Sequence, residues 1–141
     1  MSISFEQLND TSCKTYLVKE IDSNEVYIID PVLEQVNDYL DHLKKNNYTL
    51  KMIIDTHTHA DHISGAAALK DHTDCEYVMH ENAPSQCVTK RVKEGDKIEV
   101  ASVQVSILES HGHTRDSISL IFPDRIFTGD ALFLDEGGAG P

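Results

Sequence analysis

The chain has 141 residues, 40% of them apolar and 26% charged, which suits one packed domain and excludes a disordered segment. Its 24 acidic and 12 basic side chains give a net charge of −12. That field repels nucleic acid and anionic membrane surfaces, so neither is an expected partner.

The N-terminal residues carry no basic patch followed by an apolar run, so no secretory leader is expected. No apolar run reaches the roughly 20 residues that span a bilayer. Residues 3–8, 15–19 and 26–29 are short and rich in β-formers, with Asp22-Ser23-Asn24 as a turn, and they predict an antiparallel meander. A helix follows. Asp30 is its expected cap, Pro31 suits its first turn, and Leu33, Val36, Leu40 and Leu43 recur at helical spacing up to Asn46-Asn47. Residues 51–55 predict a buried strand, 64–69 a second helix and 76–79 another strand. After the Glu94-Gly95-Asp96-Lys97 turn, residues 98–100 and 103–108 predict a hairpin, and 118–122 and 125–128 two more strands joined by Pro123-Asp124. Strands, helix, strand, helix and then mostly strands predict a layered α/β domain with a mixed sheet, spanning 1–141. Tyr16 and Tyr27 are assigned to the core. Three cysteines, Cys13, Cys75 and Cys87, are an odd number without a Cys-x-x-Cys pair. They argue against a disulfide framework or a thiolate zinc site, and for reduced thiols in a cytoplasmic protein.

The densest chemistry is Asp55-Thr56-His57-Thr58-His59-Ala60-Asp61-His62, where a buried strand runs into a helix. A strand end is where a rigid sheet can hold reactive side chains in fixed directions. Imidazole nitrogens and carboxylate oxygens are ligands for iron, zinc and manganese. On an extended segment His57 and His59 face the same way, and the following turn can aim Asp61 and His62 at an adjacent point. Two later strands repeat the design: 103–108 leads into Ser110-His111-Gly112-His113-Thr114, and 125–128 into Gly129-Asp130. Gly112 permits a tight turn beside His113, and Gly129 a close approach beside Asp130. A lone His or a Gly-Asp pair is more often structural. Three strands that each deliver a ligand to one edge are not.

His-x-His-x-Asp-His, then Gly-His-Thr, then Phe-Thr-Gly-Asp resemble, in order, the motifs of the metallo-β-lactamase superfamily, with Ile29-Asp30-Pro31 also matching. The segments 57–62, 113–117 and 128–133 together resemble most the persulfide dioxygenases (sulfur dioxygenases), with the glyoxalase II hydrolases next. The resemblance implies an αββα sandwich of two mixed sheets between helices. It implies a C-terminally truncated form lacking most of the second half, because the family domain is longer than this chain. An uncovered sheet face would favour a homo-oligomer.

In the hydrolase pattern His57, His59 and His113 would hold one metal. Asp61, His62 and a later histidine would hold a second, and Asp130 would bridge. No histidine follows His113 here. In the persulfide dioxygenase pattern one Fe(II) per chain is held by His57, His113 and Asp130, with Zn(II) the alternative metal. His59, Asp61 and His62 would orient ligands, and Asp61 joins the other three among the catalytic candidates. The implied reaction oxidises glutathione persulfide with O₂ to sulfite and glutathione. The alternatives are hydrolysis of hydroxyacylglutathione thioesters at a dinuclear zinc or iron site, and a metal-binding domain without turnover. Arg115 reads as a solvated loop residue that could attract glutathione carboxylates.

Overall fold

A computed structural model describes residues 3–8, 14–57, 65–84, 86–109, 117–123, 125–127 and 132–134. The expected meander is present as β1 (Ile3–Gln7), β2 (Tyr16–Glu20) and β3 (Glu25–Ile29), paired antiparallel. Then come α1 (Val36–Lys45), β4 (Thr49–Ile54), α2 (Ala66–Thr73), β5 (Glu76–His80) and β6 (Lys90–Val92). The strands β3, β4, β5 and β6 are parallel, so the first sheet has the order β1-β2-β3-β4-β5-β6. The remaining strands are β7 (Lys97–Val100), β8 (Val103–Glu109), β9 (Ile118–Ile121), β10 (Arg125–Phe127) and β11 (Leu132–Leu134). They form an antiparallel sheet of order β11-β10-β9-β8-β7.

The two sheets pack face to face. Val18, Ile29, Ile54 and Val78 of the first meet Val105, Ile107, Leu120 and Phe127 of the second in one buried cluster. Tyr16 and Tyr27 pack against it, and Tyr16 meets Phe127 edge to face at 5.1 Å. A second cluster lies on the other face of the first sheet, where Val36, Tyr39 and Leu43 of α1 and Leu69 of α2 cover Ile28, Ile53 and Tyr77. The described layers are therefore helix, sheet, sheet, as an αββα sandwich requires. The strand β4 has an apolar layer on each side, so consecutive residues Ile53 and Ile54 are both fully buried, each in a different cluster.

Two expectations are corrected. Asp30 does not cap a helix. It sits at φ 56° with its carboxylate turned to Thr56. A 3-10 turn, Leu33–Gln35, comes next, and α1 starts only at Val36. The second helix begins at Ala66 and runs on to Thr73 rather than stopping at 69. Gly65 precedes it because a Cβ there would meet Val36 Cγ2 at 2.9 Å and the Val32 carbonyl oxygen at 3.0 Å. The absence of a side chain lets the start of α2 close on the β3–α1 connection, and Gly65 N–H donates to the Pro31 carbonyl. No helix among the described residues is long and apolar enough to cross a membrane.

Candidate metal centre

The parallel strand β4 ends at Ile54, and the next three residues are held from several directions. Asp55 N–H donates to the Val78 carbonyl, and the Asp55 carboxylate accepts the Tyr77 hydroxyl at 2.6 Å. The Asp30 carboxylate accepts both the Thr56 N–H at 2.8 Å and the Thr56 hydroxyl at 2.6 Å, all within fully buried surroundings. Asp30 is itself fixed: its N–H donates to the Ile54 carbonyl, and its carbonyl accepts the Thr15 hydroxyl at 2.7 Å. Hydrogen bonds to a charged acceptor contribute about 1.5–3 kcal/mol each, so this brace is a strong local constraint on where the strand ends.

The brace also fixes the His57 ring. The single hydroxyl proton of Thr56 goes to Asp30, so Thr56 Oγ1 acts as acceptor toward His57 Nδ1 at 3.0 Å. The ring proton then lies on Nδ1, which makes Nε2 the acceptor nitrogen of the ring. This is the arrangement expected of a metal-binding histidine, whose other ring N–H is held by an outer partner. His57 is half-buried, unlike Thr56, and so remains reachable from outside the core.

Register brings strands that flank the other two motif segments to the same end of the molecule. Glu109, the last residue of β8, pairs with Ile118, the first of β9, so β8 and β9 form a paired stem up to the residues that flank 110–117. Ile118 N–H donates to the Thr56 carbonyl at 2.7 Å, which seats that stem directly beside His57. Phe127 of β10 pairs with Leu120 of β9 and with Leu132 of β11. The strand β10 therefore ends on the side where β9 begins. Of the expected site residues, His57 is described. His59, Asp61, His62, His113 and Asp130 lie outside the described residues, as do Gly112, Arg115 and Gly129. What the described residues bring together is His57, the stem carrying the His113 segment and the strands flanking the Asp130 segment.

One polar pair at this end, a buried histidine on a half-buried glutamate, was not anticipated from sequence. His80, the last residue of β5, lies 2.7 Å from a Glu109 carboxylate oxygen. Each is the last residue of its strand, 29 positions apart, and no local pattern links them. Cys75 precedes β5, at the opposite end of the parallel sheet from His57, and burial pushes its thiol pKa up.

A family model, the metallo-beta-lactamase superfamily, matches residues 8–141. The chain belongs to that superfamily. Among curated members, a hydroxyacylglutathione hydrolase of Idiomarina loihiensis is 34% identical over 125 residues, covering 89% of this chain and 48% of the relative. One from Rhodopseudomonas palustris is 38% identical over 122 residues, covering 84% and 47%. The crystal structure of ETHE1 from Myxococcus xanthus matches with a TM-score of 0.81 at 38% identity, covering 89% of this chain and 56% of that one. A metallo-beta-lactamase of Staphylococcus aureus shares the fold at 23% identity, with a TM-score of 0.73. The chain spans about half the length of the curated superfamily members it matches.

Proposed function

We propose that this superfamily member is an Fe(II)-dependent persulfide dioxygenase. In this reading His57, His113 and Asp130 hold one iron, and glutathione persulfide, O₂ and water give glutathione and sulfite. The observation that carries it is the His57 ring, braced through Thr56 by Asp30 so that Nδ1 is the donor and Nε2 the acceptor nitrogen, beside the stem that flanks the His113 segment. Two imidazoles and one carboxylate are a donor set suited to Fe(II), and all three residues are present in this chain. When bound, iron supplies redox chemistry and the coordination positions that a three-ligand facial set leaves open.

The chain's own residues do the positioning. Thr56 accepts the Nδ1 proton of His57 and holds the ring plane. Asp30 holds Thr56. Ile118 ties the His113 stem to the same peptide. In this reading His59, Asp61 and His62 orient ligands rather than binding iron themselves. The sheets exclude water from beneath the site, since Asp30, Asp55 and Thr56 are all buried.

The names of the curated relatives favour a second reading, a thioester hydrolase acting on hydroxyacylglutathione. That chemistry needs a nucleophilic water between two metals, with Asp61 and His62 as direct ligands. One assay separates the two. Anaerobically iron-loaded protein, mixed with glutathione persulfide in air-saturated buffer, should consume one O₂ per sulfite formed. Absence of O₂ uptake, together with hydrolysis of a lactoylglutathione thioester, would overturn the dioxygenase reading. Leu108 and Ile126, 41% and 38% exposed on the second sheet, support self-association.

A further inference from the structure

His80 is 1% exposed and ends β5, two residues beyond the Ile54–Val78 pair that closes the β4–β5 register. Its Nδ1 accepts the Asn82 N–H at 3.0 Å. The ring proton therefore lies on Nε2, which donates to Glu109 Oε2 at 2.7 Å. The Glu109 backbone N–H in turn donates to Glu94 Oε1 at 2.7 Å, and Glu94 N–H reaches back to Glu109 Oε2 at 3.4 Å. The pair links the last residue of β5 in the first sheet to the last residue of β8 in the second.

Ligand atoms of His80, Glu81 and Glu109 all lie within 4.8 Å of one another, close enough to suggest a cation site. The tautomer argues against it. A histidine that binds metal through Nε2 keeps its proton on Nδ1 and donates it outward, whereas here Nδ1 receives a backbone N–H. The cluster is a hydrogen-bonded strut.

Its location gives the strut a task. Glu109 is the residue from which 110–117 departs, its pairing partner is Ile118, and Ile118 is bonded to Thr56 beside His57. We infer that the His80–Glu109 pair is a positioning device for metal binding: it fixes where the 110–117 segment leaves β8, and so where His113 is presented to the cation. The inference rests on the reading of His113 as a ligand given above. Two sheets can slide or splay at their edges, and a strut at the departure point removes that freedom at one of the three ligand-bearing segments.

The test is Fe(II) affinity, measured anaerobically by chelator competition on the full chain, at a temperature where circular dichroism shows each variant folded. Loss of an outer partner typically costs a metal site about 10–100-fold, so Glu109→Ala should bind Fe(II) at least about 10-fold more weakly. Glu109→Gln keeps an acceptor for His80 Nε2 and should recover most of that loss. Leu50→Ala, a cavity in β4 at the opposite end, should lower the melting temperature without changing affinity. If Glu109→Ala does not fold, Glu109→Met fills the same space without a strong acceptor and takes its place. Wild-type affinity in the Ala or Met variant would overturn the inference. So would a Gln variant as weak as Ala, or an equal affinity loss in Leu50→Ala. His113→Ala separates the premises: its loss of affinity upholds the ligand reading, and its wild-type binding would sink that reading and the strut's role with it.

Discussion

A His57→Ala variant will keep the fold and lose its metal. The side chain is half-buried and outside both apolar clusters, so its removal creates no core cavity. Its effect on folding stability should stay within about 1 kcal/mol. The effect on binding should be far larger, because His57 is read as one of three direct ligands. Removing an outer partner alone costs roughly 10–100-fold in affinity, and removing a ligand should exceed that. Thr56 and Asp30 remain in place, so the variant isolates the ligand from its support. Elemental analysis after iron loading and desalting checks the first part, and the thermal transition of the metal-free protein checks the second. Iron occupancy equal to wild type would show that His57 is not a ligand.

The second large effect is expected at Asp30. In Asp30→Ala the Thr56 N–H and hydroxyl both lose their buried acceptor, and an unsatisfied buried donor costs about 1–3 kcal/mol. Alanine must also adopt φ 56°, which asparagine and aspartate tolerate better. The sum predicts a loss of about 3 kcal/mol or more by urea denaturation. Asp30→Asn retains one acceptor and the tolerance for the left-handed backbone, and should cost clearly less. Both variants release the Thr56 hydroxyl from its fixed orientation, so metal affinity should fall even where the protein stays folded. If Asp30→Ala were no less stable than Asp30→Asn, the brace described at the strand end would be wrong.

The sequence was informative where physical constraint is local or periodic. The run Met52-Ile53-Ile54 reads as a fully covered strand because both faces of β4 meet apolar layers. The 103–109 strand and its hairpin partner show alternation because one side of the second sheet is buried. The candidate metal loop stands out because ligand-type residues are concentrated in eight consecutive positions, of which 58–62 lie outside the described residues. Asp30 was misread because its partner Thr56 is 26 residues away, and cap propensity describes only the nearest turn. The strand β6 was missed because only Val92 of its three residues is buried, which leaves no period to detect. The edge carries Lys90 and Arg91, as exposed sheet edges commonly do. The His80–Glu109 strut was invisible for the same reason as the Asp30 brace: tertiary pairing joins residues that look unremarkable in their own neighbourhoods.

Under the proposed function, the division between dioxygenase and hydrolase rests on how many cations the strand-end site holds. X-ray absorption at the iron edge of the loaded protein addresses this most directly. The account predicts a first shell of two imidazole nitrogens with oxygen donors around a single iron, and no metal–metal distance near the roughly 3.5–4 Å of two-metal sites. A metal–metal vector in that range, or a shell with fewer than two imidazoles, would contradict it.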